Sequence, residues 1–292
     1  MANILSNLEA FFKQKNILTR LIIINIVAFL LIRLSVVIAT LFNVEGWSLL
    51  QYLDLPSYIP QLIKEPWTLL SYAFVHFEFL HILFNLLWLY WFGQIFLLFF
   101  NEKQLLGVYL LGAFSGALFY VSSYNIFPLF SNVVTSSWLI GASASVMAVV
   151  FAASFYKKDY RINLLFIGSI KIYYVALISL LLDMLAITSS NAGGHWAHIG
   201  GALFGICFAL CYQKGKDLVA PLNRCLDWVV NLFKKKPVMR VTYQKRESDY
   251  RYNEMKNRKT QDLDDILDKV KKSGFDSLTK DEKRRLFDAS NK

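Results

Sequence analysis

The sequence predicts an all-α membrane protein, a bundle of six transmembrane helices followed by a small cytoplasmic helical hairpin. Three observations support this fold class: the composition, the length of the apolar segments and the uneven distribution of charge. Of the 292 residues, 55% are apolar and 18% are charged, whereas soluble domains average about 45–50% and about 25%. A single soluble domain is therefore not expected.

Six segments are long and apolar enough to cross a bilayer, because about 20 helical residues span its roughly 30 Å core. The predicted spans are residues 17–42, 81–100, 104–124, 138–156, 163–187 and 194–213. Arg33 and Lys171 lie near the middle of the first and fifth spans. A charge at that depth suggests a functional site, but we interpret both as long side chains that reach the bilayer surface.

The basic residues indicate the orientation of the spans. Short loops rich in Lys and Arg stay in the cytoplasm. Such segments precede the first span, join the second to the third and the fourth to the fifth, and follow the sixth. The sequence therefore predicts a multi-pass protein of the cell membrane with both termini in the cytoplasm.

The chain divides into four predicted parts, which differ in charge and apolar content. They are a cytoplasmic N-terminal segment (1–16), the membrane domain (17–213), a basic cytoplasmic linker (214–260) and a cytoplasmic helical hairpin (261–290). The hairpin is predicted from apolar residues at helical spacing, a stop at Gly274 and a Thr279–Glu282 capping box.

The net charge of +10 is concentrated at the end of the chain, where residues 214–292 carry +8. A basic segment that follows membrane spans is typical of the cytoplasmic bilayer face. The expected partner of this tail is a lipid bilayer with anionic headgroups, and no nucleic-acid partner is expected.

Cysteine spacing gives no indication of a metal or cofactor. Cys207, Cys211 and Cys225 are the only cysteines, and no histidine or further cysteine lies at the close spacing that a zinc site requires. We predict neither a metal nor a cofactor.

Polar residues converge at the outer ends of the even-numbered spans. Ser143 and His198 lie 14 and 16 residues before the inner boundary, roughly 21 and roughly 24 Å at 1.5 Å per residue. His81 and Asn85, four residues apart on one helix face, belong to the same half of the bilayer. A serine, a histidine and polar donors at one depth favour acyl transfer. No nearby span offers a carboxylate to orient His198, so a dyad is expected rather than a triad.

Each of these residues also fits a purely structural role. A serine among small residues is common where membrane helices pack closely. An intramembrane histidine, whether His81, His195 or His198, can serve as a hydrogen-bonding group between helices. Taken one by one, the residues leave both interpretations open.

Three motifs carry a family resemblance that covers about residues 17–213. Residues 141–144 (Gly-Ala-Ser-Ala) resemble the G-x-S-x motif of the rhomboid intramembrane serine proteases. Residues 197–205 (Ala-His-Ile-Gly-Gly-Ala-Leu-Phe-Gly) resemble the family's A-H-x-x-G-x-x-x-G helix, and residues 81–85 its H-x-x-x-N motif. The order and spacing of the three motifs agree with the family.

The resemblance implies a six-helix bundle that cleaves transmembrane segments of other membrane proteins near the outer side of the bilayer. On this reading Ser143 is the nucleophile and His198 the general base, while His81, Asn85 and the backbone N–H of Ser143 form the oxyanion hole. His195 lies one turn before His198, but only His198 is followed by the close-packing glycines.

Three positions depart from the family's pattern. The family often has Gly at the position of Ala144, an aromatic residue at that of Met147 and Arg at that of Thr68, which leaves room for slow turnover.

Two other functions fit part of the sequence. One alternative is a catalytically inactive rhomboid-like protein that binds membrane helices, against which intact Ser143 and His198 argue. The other is a small transporter using Arg33, Lys171 and the histidines, but the sequence lacks the internal repeat expected of one.

Overall fold

Helices dominate the computed structural model, which describes residues 16–44, 46–164, 168–233 and 247–290. The chain forms two compact units, Met1–Lys234 and Lys235–Lys292. Of the predicted N-terminal segment 1–16, all but Asn16 lies outside the described residues. Asn16 caps the first helix, because its side chain accepts a hydrogen bond from the backbone N–H of Thr19.

The first unit consists mainly of α-helices. In chain order they are α1 (Ile17–Leu41), α2 (Ile59–Lys64), α3 (Thr68–Ser71), α4 (Phe79–Leu97), α5 (Glu102–Ile126), α6 (Ser143–Tyr156), α7 (Ile172–Leu185), α8 (Ala192–Gln213) and α9 (Ala220–Phe233). Short 3₁₀ turns occupy Leu49–Tyr52, Tyr72–Phe74 and Pro128–Phe130. The strands are β1 (Leu55–Pro56), β2 (Trp138–Leu139), β3 (Arg161–Leu164) and β4 (Gly168–Lys171).

Among the described residues, four helices are long and apolar enough to cross a membrane: α1, α4, α5 and α8. Their bounds lie close to those of the predicted first, second, third and sixth spans. The helices α6 and α7 are also apolar but have only 14 residues each, about 21 Å at 1.5 Å per residue.

The predicted bounds of the fourth and fifth spans are wrong. Residues 138–139 form β2, and α6 begins only at Ser143. Residues 161–164 and 168–171 form two antiparallel strands in which Arg161 pairs with Lys171. The prediction failed here because apolar content alone does not distinguish a strand from a helix. Lys171 therefore precedes α7, where its Nζ lies 2.6 Å from Asp159 Oδ1. It does not lie mid-span.

The core of the first unit is built on close contacts between α5, α6 and α8. Residues Ala144 to Ser154 of α6 are buried throughout. A Cβ atom at Gly201 would overlap the backbone carbonyl of Ala144, and one at Gly205 that of Ala148. Small residues therefore allow α8 to pack backbone against backbone on α6, as membrane helices commonly do.

The long loop between α1 and α4 packs into the bundle. Tyr72 is 1% exposed, and its hydroxyl donates to the carbonyl of Ala113 at 2.7 Å. Strand β1 of this loop pairs antiparallel with β2, with Leu55 opposite Leu139. The loop thus holds the segment that leads into α6.

The predicted linker 214–260 contains helical structure. Helix α9 occupies Ala220–Phe233, and α10 begins at Glu247, while residues 234–246 lie outside the described part of the chain. The apolar residues of α9 recur at helical spacing and give the helix one apolar side. The basic composition of the segment obscured this pattern. The first half of α10 has little apolar periodicity; there an Arg258–Glu254 pair one turn apart, at 3.1 Å, supports the helix.

The second unit is a helical hairpin of α10 (Glu247–Ser273) and α11 (Lys280–Ser290). The chain turns at Gly274, whose φ is +79°. The predicted capping box is confirmed: the Thr279 N–H donates to Glu282 Oε2 at 2.7 Å, and the Glu282 N–H donates to Thr279 Oγ1 at 3.4 Å. Lys269 and Glu282 join the two helices at 2.9 Å.

Candidate active site

Ser143 lies at a sharp turn at the start of α6. Gly141 has a φ of +116°, and its N–H donates to the carbonyl of Tyr72 at 3.0 Å. A Cβ atom there would lie 2.7 Å from the His81 ring, so only glycine fits. As the first residue of α6, Ser143 presents an N–H that has no partner within the helix.

A cavity of about 400 Å³ brings the predicted site residues together. Ser143, His198, His81 and Asn85 all line it, although they come from three different helices. Met147 lines it as well, at the position where an aromatic residue was noted as more usual. Of the two candidate histidines, His198 lines the cavity and His195 does not.

A carboxylate lies beside His198, so the expectation that none was near is wrong. Asp183, near the end of α7, lies with its Oδ1 2.8 Å from His198 Nδ1 and 2.7 Å from His195 Nδ1. An ionised carboxylate can only accept hydrogen bonds, so each ring carries a proton on Nδ1. For neutral His198 this leaves the lone pair on Nε2.

Asp183 had a signal in the sequence. It is the only acidic residue within the predicted fifth span, and an intramembrane acid suggests function. Its distance of 15 residues from His198 exceeds any single-helix spacing. Only the antiparallel packing of α7 and α8 brings the two together.

His76 is a second residue missed by sequence reasoning. Its ring is fully buried, and its Nε2 lies 3.2 Å from the Ala142 N–H and 3.2 Å from Asn85 Nδ2. Because the backbone N–H must donate, Nε2 accepts and the ring proton sits on Nδ1. Burial, and next the neighbouring His81, lowers the pKa of His76 to about 3. It therefore stays neutral and supports the turn before Ser143.

The sequence contains one signal for His76, which is that the chain has few histidines. All four histidines of the chain lie in or beside this site: His81 and His198 line the cavity, and His76 and His195 pack against them. The rings of His76 and His81 pack edge to face, with centroids 5.1 Å apart. His76 lies in the loop before α4, however, so its depth could not be inferred from a helix.

Asn85 is 7% exposed, and its amide nitrogen has two partners. Besides the contact with His76 Nε2, it donates to the carbonyl of His81 at 3.0 Å. One amide hydrogen is thus engaged by the His81 carbonyl, and the other shares the single Nε2 lone pair of His76 with the Ala142 N–H. To stabilise an oxyanion, Asn85 would have to turn one of them toward the cavity.

We expect Asn85→Ala to lower turnover without abolishing it. Loss of one oxyanion donor typically costs about 100- to 1000-fold in rate, and the Ser143 N–H and His81 would remain. The measurement is kcat on a purified transmembrane substrate, with Leu86→Ala as a control on the same helix. Wild-type turnover in folded Asn85→Ala protein would reduce Asn85 to helix packing.

Comparison with known proteins places this chain in a family. A Rhomboid domain model matches residues 64–215, and the chain belongs to the rhomboid family. It is similar to RHOMBOID-like protein 12, mitochondrial, of Arabidopsis thaliana, with 30% identity over 159 residues. That match covers 51% of this chain and 47% of the relative, so the chain spans about half of the relative's length.

The hairpin unit has a match of its own. Residues 247–292 match a family of unknown function (DUF6576). The apolar helices and the rhomboid domain together identify a membrane protein.

Proposed function

We propose that this chain is a serine endopeptidase that cleaves transmembrane segments of other membrane proteins, with Ser143 as nucleophile and His198 as general base. The observation that carries the proposal is the shared cavity, which both Ser143 and His198 line, while Asp183 Oδ1 lies 2.8 Å from Nδ1 of His198. Membership of a family that consists largely of serine proteases supports it.

The tautomer of His198 suits the first chemical step. With Nδ1–H donated to Asp183, Nε2 takes the proton from the Ser143 hydroxyl as Oγ attacks the substrate carbonyl. The carbonyl oxygen becomes an oxyanion, which the Ser143 N–H and His81 stabilise, joined by Asn85 if its amide turns. Protonated His198 gives its proton to the leaving amine, and water then hydrolyses the acyl enzyme.

The cavity limits the form in which a substrate enters. A helix with side chains is about 10–12 Å wide, and its carbonyls accept hydrogen bonds within the helix. A cavity of about 400 Å³ accommodates a short extended segment instead. The substrate helix must therefore unwind where it is cut.

The short length of α6 supports a site within the membrane. A 14-residue helix is about 21 Å long, so Ser143 lies about 10 Å inside a roughly 30 Å core if α6 ends at the inner surface. We propose that α6 and α7 complete a set of six spans with α1, α4, α5 and α8. Both termini and the hairpin unit then lie in the cytoplasm, and the protein resides in the cell membrane.

Co-expression with candidate single-span membrane proteins tests this function. Wild-type protein should release a cleaved fragment, and Ser143→Ala should not. Ser179→Ala is the matched control, because Ser179 lines the same cavity but its hydroxyl donates to the carbonyl of Ala176 at 2.8 Å. Binding of these proteins without cleavage by wild type would favour the inactive rhomboid-like alternative.

Asp183 gives a separate prediction. Asp183→Leu should lower kcat, because His198 then loses the acceptor that fixes its tautomer, and removing the aspartate of a Ser-His-Asp triad costs up to about 3 × 10⁴-fold. Asp183→Asn should lower kcat as well, because its amide can donate to Nδ1 and so favour the tautomer with the proton on Nε2, a change that costs about 10⁴-fold in the Ser-His-Asp triad. Folded Asp183→Leu protein with wild-type kcat would show that His198 needs no orienting group.

Helix α9 offers a defined surface to the proposed lipid partner of the basic tail. Trp228 and Leu232 are 65% and 61% exposed, and Cys225 and Val229 lie on the same side of the helix. The opposite side is held to the bundle, where Lys103 Nζ lies 2.6 Å from Asp227 Oδ2. An amphipathic helix seven residues after a membrane span, with basic residues around it, fits an anionic bilayer surface.

Labelling α9 at two positions tests the lipid contact. In protein without Cys207 and Cys211, a spin label on Cys225 should be more accessible to oxygen than to a polar nickel reagent once the protein is in vesicles with anionic lipid. The control label, on Asn231→Cys with Cys225→Ser, should show the reverse. Equal accessibility at both positions would contradict insertion of the apolar face.

A further inference from the structure

One side-chain cluster at the site has ligands that acyl transfer does not require. Asp183, His195 and His198 each offer one ligand atom, and these three atoms lie within 4.8 Å of one another. His195 has no part in the proposed chemistry, yet its Nδ1 approaches the same carboxylate oxygen as that of His198. Two imidazoles and a carboxylate are a common ligand set for Zn²⁺.

We propose that Asp183, His195 and His198 bind a divalent transition-metal ion, with Zn²⁺ as the best fit, and that the bound ion switches the protease off. The switch rests on the proposed function, whereas the metal site stands on the three side chains alone. The two ring nitrogens already point at one oxygen, 2.7 and 2.8 Å away. A metal at about 2.0–2.2 Å from each ligand takes the place of the two Nδ1 protons between them.

The surroundings allow such an ion to enter and stay. Asp183 and His198 line the cavity, whose described lining residues include no Lys or Arg to repel a cation. The side chains of the two histidines are 19% and 21% exposed and that of Asp183 10%, so the ligands are shielded but reachable. Three protein ligands leave the fourth tetrahedral position to a cavity water.

The inhibitory effect follows from the tautomer of His198. A metal bound to Nδ1 of a neutral imidazole forces the remaining ring proton onto Nε2. Nε2 then has no lone pair to accept the Ser143 proton, and the first step of acyl transfer stops. Metal release returns the proton to Nδ1 and restores the hydrogen bond to Asp183.

The direct test measures binding without any use of activity. Metal-free Ser143→Ala protein in detergent is titrated with Co²⁺, whose visible absorption reports coordination by nitrogen and oxygen in a low-symmetry site. One equivalent should bind and be displaced by Zn²⁺. Adding His195→Gln to the same protein should weaken binding by at least about 10-fold, the lower end of the cost of losing even an outer-shell partner. Absence of a visible band, or equal binding by the His195→Gln protein, would overturn the metal site.

The second arm measures the switch. Zn²⁺ should inhibit the wild-type protease reversibly, with activity restored by a chelator, and His195→Gln should require at least about 10-fold more Zn²⁺ relative to its own metal-free rate. Metal binding without inhibition would contradict the switch and leave the site. If no substrate were cleaved under any condition, the proposed function would fail, while the cobalt titration would still decide the metal site.

Discussion

Replacing His198 with alanine is expected to abolish cleavage of a transmembrane substrate, whereas His195→Ala is expected to retain it. His198 lines the cavity with Ser143 and presents Nε2 as a base, while His195 does not line it. Ser143→Ala should be as inactive as His198→Ala, because each removes one of the two reacting groups. The loss from either should approach the roughly 10⁶-fold seen when a triad serine or histidine is removed.

Cleavage of one purified substrate by all three variants measures this prediction, with thermal unfolding in detergent as a check on folding. The double variant Ser143→Ala/His198→Ala should be no worse than either single variant, because the two residues act as a unit. Activity in Ser143→Ala, or loss of activity in His195→Ala with retention in His198→Ala, would contradict the assignment.

Replacing Gly201 with valine is expected to destabilise the membrane unit and to inactivate it. Even the first carbon of a side chain there would overlap the carbonyl of Ala144, the residue next to Ser143. Overpacking typically costs about 1–3 kcal/mol, and a backbone obstacle cannot rotate away. Helices α6 and α8 would have to separate, which would also move Ser143 away from His198.

Thermal unfolding and cleavage by Gly201→Val report the two effects together. Cys207→Leu is the matched control, because Cys207 lies on the exposed side of the same helix and added volume there meets no neighbour in the bundle. The control should keep the wild-type unfolding temperature and activity. A Gly201→Val protein as stable and active as wild type would contradict the close approach of α6 and α8.

The long spans could be predicted from the sequence because twenty apolar residues have few alternatives in a bilayer. Helix α1 was predicted at 17–42 and runs over Ile17–Leu41. The shorter apolar segments were harder: residues 163–187 were predicted as one span, but they begin in a β-hairpin that ends at Lys171. The Asp159–Lys171 ion pair supports this strand pairing, yet such a contact does not appear in a hydropathy average.

Part of the candidate site could likewise be predicted from the sequence, and part could not. Depth along single helices and motif spacing predict four site residues, and all four line one cavity: Ser143, His198, His81 and Asn85. Asp183 and His76 depend on which helices and loops are neighbours, which depth alone does not determine. His76 contacts Ala142 across 66 residues of sequence. A contact of that kind arises from packing between elements.

The most direct test of the central claim is covalent labelling by a serine-directed fluorophosphonate, followed by identification of the modified residue by mass spectrometry. An activated nucleophile beside a general base should give a single adduct on Ser143 in wild-type protein. His198→Ala should react far more slowly, and Ser179→Ala should react as wild type does. Folded wild-type protein with no adduct, or with an adduct elsewhere and an unmodified Ser143, would contradict the account.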